Sequence, residues 1–428
     1  MRRFIFFAAA LTLLAAGFFT YAMRHAELPA RAALPRPVFA PDLVERGAKL
    51  AALGACAACH TKPGAAPYTG GYGMRTPFGV IYSTNITPET ETGIGLWGED
   101  AFIRAMREGV DRSGGMLYPT FPFDHYAKVN DADLKALYAY FSTRQPVRAQ
   151  AKPNELNFPF NVRPLLAAWS LLFLESGPYK PDPTKSAKWN EGAYYVEGLG
   201  HCGACHSPRN ALGAVKADAR LSGGETDGWH APGIGAHAKA PATWTKESLT
   251  NYLIDGWDAN HGVAAGPMTP VVNHLAKIDE SMVDAMVEYL IDTQPKPHAG
   301  ERAKIMQLAR DREFAGVAPP GTLSESGSRG EATFARACAN CHKRGGQTTP
   351  LALGASMNAP HPGNLISIVM NGVQPPTGSP EKTMPRFAQS LKDDDIVDLA
   401  TYMRKRFTQQ PAWTDAAVRT RRARDAGF

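Results

Sequence analysis

Cysteine is scarce in this 428-residue sequence: there are six, and none lies outside a Cys-x-x-Cys pair. A disulfide framework of the kind that staples small secreted domains would not confine every cysteine to this tight spacing. Charge of one sign is scarce too. Forty-six basic against 40 acidic residues leave a net +6, and Arg404 to Phe428, with seven basic residues against two acidic, carries +5 of it. The body is nearly neutral, which argues against nucleic acid as a partner. Period-two alternation is rare, so strands are not expected to dominate. No phosphate loop, nucleotide fingerprint or nucleophile paired with a base is present, so the chain is not expected to be an enzyme by itself.

What remains is ordinary globular material, 44% apolar and 20% charged, too long for one domain. The longest uncharged run is at the start. Arg2 and Arg3 precede Phe4–Met23, twenty residues without charge, followed by Arg24. As a helix it would span roughly 30 Å, the thickness of a bilayer core. Signal peptides usually carry a shorter apolar region with small residues close behind it. The small-x-small set Ala30-Arg31-Ala32 is set well back. A retained transmembrane anchor is therefore favoured over a cleaved signal helix, and the two arginines send the rest of the chain outward.

Proline-rich stretches divide the chain at Leu28–Pro41, Pro153–Pro183 and Pro295–Gly321. The expected organisation is an anchor and linker over 1–40 and a first domain over 41–150. A linker over 151–185 leads to a second domain over 186–296. A linker over 297–322, a third domain over 323–410 and a basic tail over 411–428 complete it. The domains repeat. Trp97 opens GEDAFIRAMREG, ending at Gly109, and Trp244 opens TKESLTNYLIDG, ending at Gly256. Both read as helices stopped by glycine. HYAKVNDADLKALYAYF from His125 and HLAKIDESMVDAMVEYL from His274 match each other, and LKDDDIVDLATYMRKRF gives the end of the same pattern. Asp or Asn stands where a helix N-cap is wanted. The expected fold is all-α, in three tandem helical domains.

All six cysteines fall in Cys-x-x-Cys-His: Cys56, Cys59 and His60; Cys202, Cys205 and His206; Cys338, Cys341 and His342. Two thiols at this spacing add to the two vinyl groups of haem, and the adjacent histidine reaches the iron. Zinc sites and redox dithiols also use paired cysteines but need no histidine after each pair. With 12 histidines in the chain, a chance histidine after all three pairs has odds of about 2 in 100,000. The reading is three covalently bound haem c groups, each in a cytochrome c-type domain.

An electron-carrying haem commonly takes methionine as its sixth ligand. Met384, in Thr-Met-Pro, lies 42 residues after His342, and Met268, in Gly-Pro-Met, lies 62 after His206. Methionine beside proline ahead of the last helix is less typical of core filling. In the first domain the corresponding slot holds Phe121, which cannot bind iron. Met116, five residues upstream, and His125, four downstream, are the alternatives. His125 has a counterpart in His274, in a domain that already has Met268. The segment Phe158–Leu174 is unusually apolar for a linker and could pack between domains, rest on a membrane or meet a partner.

From about Pro41 to Phe407 the chain resembles the three-haem cytochrome c subunits of membrane-bound periplasmic dehydrogenases, those acting on alcohols, gluconate, sorbitol and aldehydes. The likeness rests on the haem motifs, TPFGVIYSTNITPETETGIGLW (Thr76–Trp97), LYPTFPFDHYAKV (Leu117–Val129), NFPFNVRPLLAAW (Asn157–Trp169) and AGPMTPVV (Ala265–Val272). The resemblance implies a large catalytic partner bearing flavin, pyrroloquinoline quinone or molybdopterin. It also implies ubiquinone or a terminal oxidase as acceptor, and a place on the periplasmic face of the bacterial inner membrane. Relatives serving alcohol or sugar dehydrogenases often have methionine at the position of Phe121. The phenylalanine form looks more like cytochromes paired with molybdenum hydroxylases of aldehydes or N-heterocycles. Arg406–Thr414 also departs from the family's usual ending. The alternatives are a free-standing haem relay and a peroxidase acting at an open haem.

Overall fold

The computed structural model describes residues 25–236, 243–296, 300–314, 328–342, 350–375, 382–408 and 410–414, with single positions 17, 238, 298 and 417 besides. Apart from position 17, the expected anchor Phe4–Met23 lies outside these, as does most of the basic tail. Among the described residues no helix is long and apolar enough to cross a membrane.

The chain forms two compact units. The first comprises Met1–Pro181 with the short segments Glu197–His201 and Ala211–Ala214, and the second holds the remainder. The first haem motif thus falls in one unit, and the second and third in the other.

The first unit contains α1 (Pro41–Leu53), α2 (Cys56–His60), β1 (Gly73–Thr76), β2 (Gly79–Tyr82), α3 (Glu99–Glu108), α4 (Phe123–Tyr126), α5 (Asp131–Ser142), β3 (Glu155–Leu156) and α6 (Leu165–Phe173). Proline opens α1, where its missing N–H costs nothing. Helix α3 stops at Gly109, whose φ of 65° is left-handed, as the sequence pattern expects. Asn130 caps α5 by accepting from the Asp133 amide. Helices α1 and α5 cross at Gly47, where a Cβ would lie 2.0 Å from the Ala136 carbonyl oxygen. Leu50, Leu53, Leu134, Leu137 and Phe141 are buried here. Arg46 donates to the fully buried Asp133 carboxylate at 2.7 Å, tying the crossing.

The second unit contains α7 (Ala187–Glu197), α8 (Gly203–His206), β4 (Gly223–Thr226), β5 (Trp229–Pro232), α9 (Lys246–Asp255), β6 (Trp257–Asp258), β7 (Gly262–Val263), α10 (Met268–Leu275) and α11 (Glu280–Thr293). It continues with α12 (Glu301–Phe314), α13 (Arg329–Ala337), α14 (Gly363–Asn371) and α15 (Asp393–Phe407). The first unit's crossing recurs twice. A Cβ on Gly192 would fall 1.9 Å from the Ala285 carbonyl oxygen, and one on Gly330 would fall 2.1 Å from that of Asp398. Ion pairs Lys188–Asp284 and Arg329–Asp398 accompany these crossings. Phe334, Leu399, Met403 and Phe407 fill the core around the last of them.

Two expectations are revised. The units are helix-rich but not all-α: β1–β2 and β4–β5 are antiparallel hairpins, β3 adds to β2, and β6 pairs with β7. These strands are too short for alternation to show in sequence. The stretch expected as a linker over 151–185 carries β3 and α6. Within it, the Trp169 indole is buried and donates to the Leu212 carbonyl at 3.0 Å. The capping residue of α15 is Lys392 rather than an acid. Asp393, Asp394 and Asp395 occupy the first turn, where the helix dipole favours negative charge.

Candidate haem-binding sites

The three motifs take the same local form. Cys56–His60 is a single helical turn preceded by Ala55 in left-handed backbone, φ 45°. Cys202 precedes the turn Gly203–His206. In the third motif His342 N–H donates to the Cys338 carbonyl at 2.9 Å. Each turn presents two thiols and an imidazole along one short helical edge, as thioether attachment of a porphyrin needs.

The hairpins explain how two of the imidazoles are set. His60 Nδ1 donates to the Thr84 carbonyl just past β2, and His206 Nδ1 donates to the Pro232 carbonyl at the end of β5, both at 2.7 Å. A carbonyl can only accept, so the proton sits on Nδ1 and the Nε2 lone pair is left for a metal. Close glycines hold the hairpins against the motifs. A Cβ on Gly70 would lie 2.4 Å from the Thr84 carbonyl carbon, and one on Gly224 would lie 2.4 Å from the carbonyl oxygens of Cys205 and Ser207. His342 Nδ1 is buried and has no hydrogen-bond partner among the described residues.

Burial holds all three imidazoles below the ordinary histidine value, to about 4 at His342. The carbonyl bonds at His60 and His206 push the other way. Neutral imidazole is the form that ligates iron. Burial, reinforced by the neighbouring cysteine, pushes the Cys56 and Cys338 thiols up to about 12. Redox dithiols need the opposite shift. The donor chemistry therefore fits haem attachment.

Met268 and Met384 are both half-buried. Met268 is the first residue of α10 rather than a loop residue; it follows Gly266, whose φ of 56° is left-handed and whose Cβ position is filled by the Trp229 indole. Met384 exchanges two backbone hydrogen bonds with Val373, at 3.0 and 2.8 Å, just after the left-handed Gly372 that ends α14. In the first unit Met116 forms the same kind of bridge with Val110 after Gly109, but its side chain is buried in a cluster with Val110 and Ala167. His125 is buried too, and its Nδ1 donates to the Glu197 carbonyl at 3.0 Å. Phe121 is half-buried with its ring 5.2 Å from Tyr126. Burial and the charges of Cys56 and Cys59 push the Tyr126 hydroxyl well above its ordinary value.

Sequence reasoning missed the carbonyls of Thr84 and Pro232, since any residue can supply one. It also missed His201, which stands in left-handed backbone, φ 37°. His201 Nε2 donates to the Gly54 carbonyl at 3.2 Å, and its ring meets Tyr126 edge-on at 5.6 Å. The adjacency of His201 to Cys202 was the available signal. The Trp244 indole stacks on His261 with centroids 3.5 Å apart.

Helical cores crossed at glycine, with Cys-x-x-Cys-His turns presenting neutral imidazoles, define a c-type cytochrome. Residues 325–403 match the family model for cytochrome c oxidase, cbb3-type, subunit III. The chain is 35% identical over 408 residues to the fructose dehydrogenase cytochrome subunit of Gluconobacter japonicus, covering 89% of this chain and 82% of that one. It is 36% identical over 404 residues to the gluconate 2-dehydrogenase cytochrome c subunit of Pantoea cypripedii, covering 90% and 88%. It is also 45% identical over 390 residues to a nicotinate dehydrogenase subunit of Pseudomonas putida, covering 89% of this chain and 32% of that protein. The chain thus spans about a third of the length of that relative. The chain belongs to the cytochrome c subunits of dehydrogenase complexes, which are electron-transfer rather than catalytic subunits.

Proposed function

We propose that this chain binds three haem c groups and relays electrons from a catalytic dehydrogenase subunit to ubiquinone or a terminal oxidase, on the periplasmic face of the bacterial inner membrane. Phe4–Met23 is the proposed anchor. The observation that carries the three-haem reading is the threefold recurrence of one assembly: a glycine-centred helix crossing and a Cys-x-x-Cys-His turn. Cys56, Cys59, Cys202, Cys205, Cys338 and Cys341 attach the haems, and His60, His206 and His342 are the proximal ligands. Met268 and Met384 are the sixth ligands of the second and third haems. Haem, when bound, supplies reversible one-electron chemistry; the chain contributes ligands, burial and placement.

For the first haem we assign His125 as sixth ligand. Its Nδ1 donates to a carbonyl just as those of His60 and His206 do, leaving Nε2 as a lone pair, while Met116 points into a packed cluster. The partner we favour carries molybdopterin rather than flavin or pyrroloquinoline quinone and acts on an N-heterocycle. Phe121 and the 45% identity to a nicotinate dehydrogenase subunit support this choice.

The test is purification of the haem protein from native membranes, with mass spectrometry of what accompanies it and a haem count per chain. A stoichiometric dehydrogenase with three haems per cytochrome is the expected result. Recovery of the cytochrome alone after cross-linking in mild detergent would overturn the subunit reading in favour of a free relay.

A further inference from the structure

Glu225, His230 and His361 form a cluster separate from the haem ligands. Glu225 and His230 are cross-strand partners in the β4–β5 hairpin, so their side chains emerge on one face. Glu225 Oε1 accepts from His230 Nδ1 at 2.8 Å, and Oε2 accepts from His361 Nε2 at 2.7 Å. The three donor atoms all lie within 4.8 Å of one another.

The backbone holds this arrangement independently of the cluster. Asn364, in the first turn of α14, accepts the His230 N–H and donates to the His230 carbonyl, each at 2.8 Å. Gly363 lies so near the hairpin that a Cβ would sit 3.1 Å from the Gly228 carbonyl oxygen. His361 is thereby fixed relative to His230 although 131 residues separate them. The cluster is reachable from solvent, since Glu225 is exposed and both histidines are partly so. Burial pushes the Glu225 carboxyl up, but the hydrogen bonds from His230 and His361 outweigh this and hold it at about 2.

We propose that Glu225, His230 and His361 form a binding site for a divalent transition metal of the zinc class, held by one carboxylate oxygen, His230 Nδ1 and His361 Nε2. Two imidazoles and a carboxylate with a side open to water are donors that suit this class. On binding, the ligating nitrogen of each ring gives up its proton, and the other ring nitrogen carries the one that remains. At His361 this gives up the long bond that Nδ1 now accepts from the Gly363 N–H, at 3.2 Å. The bound ion would clamp the hairpin whose Pro232 carbonyl orients His206 to the first turn of α14.

The experiment is equilibrium dialysis of the haem-loaded, tag-free full-length protein against Zn²⁺, with metal counted by mass spectrometry. Wild type, His361→Ala, Glu225→Gln and the control His298→Ala, a histidine outside the cluster, are compared, with the haem spectrum confirming that each is folded. Wild type and H298A should bind one saturable equivalent, and E225Q and H361A should bind about tenfold more weakly or worse. The melting temperature should rise with Zn²⁺ in wild type and not in E225Q. Absence of saturable binding by wild type, or binding that neither cluster variant weakens, overturns the site.

Discussion

His60 Nδ1 and the Thr84 carbonyl oxygen lie 2.7 Å apart, the separation also found between His206 Nδ1 and the Pro232 carbonyl. A donated hydrogen bond of this kind makes the imidazole a more basic ligand and favours the oxidised iron. His342 Nδ1 has no partner among the described residues. The second and third haems share His/Met ligation in our assignment, and among the described residues this bond distinguishes their proximal histidines. The third should have the higher potential, by about 40 mV for a bond contributing about 1 kcal/mol. Spectroelectrochemical titration, with the two haems assigned through Met268→Leu and Met384→Leu, measures it. A third-haem potential equal to or below the second would contradict the argument.

The crossing glycines have no room for a side chain. At Gly192 the atom in the way is the Ala285 carbonyl, part of a helix backbone that cannot swing aside as a flexible side chain would. Gly192→Val should therefore cost about 1–3 kcal/mol, the range for overpacking, and loosen the second haem site with it. Denaturant unfolding followed by haem absorbance and by circular dichroism would report both. A loss under about 0.5 kcal/mol would mean that the crossing relaxes freely.

Helices α3 and α9 were legible in the sequence because apolar spacing and a terminal glycine both mark them, and Gly109 and Gly256 do take left-handed backbone. The haem motifs were legible because their chemistry is local, within five residues. The hairpins were not, because four-residue strands such as Gly73–Thr76 carry no readable alternation, and the carbonyls they set against His60 and His206 could come from any residue. Gly47, Gly192 and Gly330 were equally silent, since their role is set by a partner helix about 70 to 95 residues away. His361 could not be joined to Glu225 before the chain was folded, with 136 residues between them.

The assignment at the first haem separates His125 from Met116. His125→Gln keeps a polar side chain but removes the imidazole Nε2, and it should turn one low-spin haem high-spin. Met116→Leu conserves volume in the Val110 and Ala167 cluster, so it should leave every haem low-spin and cost less than about 1.5 kcal/mol. Electron paramagnetic resonance of the oxidised protein reads both. The reverse pattern would make Met116 the ligand, and high-spin haem already in wild type would mean that Phe121 leaves the iron open.

The Glu225 carboxyl is held at about 2, from an ordinary value of 4.5, by the hydrogen bonds of His230 and His361. A folded-state value below the unfolded one contributes stability that is present above about pH 4.5 and is lost as the pH falls through the folded value. Wild type should therefore exceed Glu225→Gln in stability at about pH 5, where the carboxylate is fully ionised. The gap should shrink as the pH drops from about 4.5 towards 2 and close below that. Melting temperatures measured across this range, with a chelator present to keep metal out, test the sign. A gap that widened between about pH 4.5 and 2 would mean that the protonated carboxyl is the form the cluster prefers, and the two histidines would then not be donating to it.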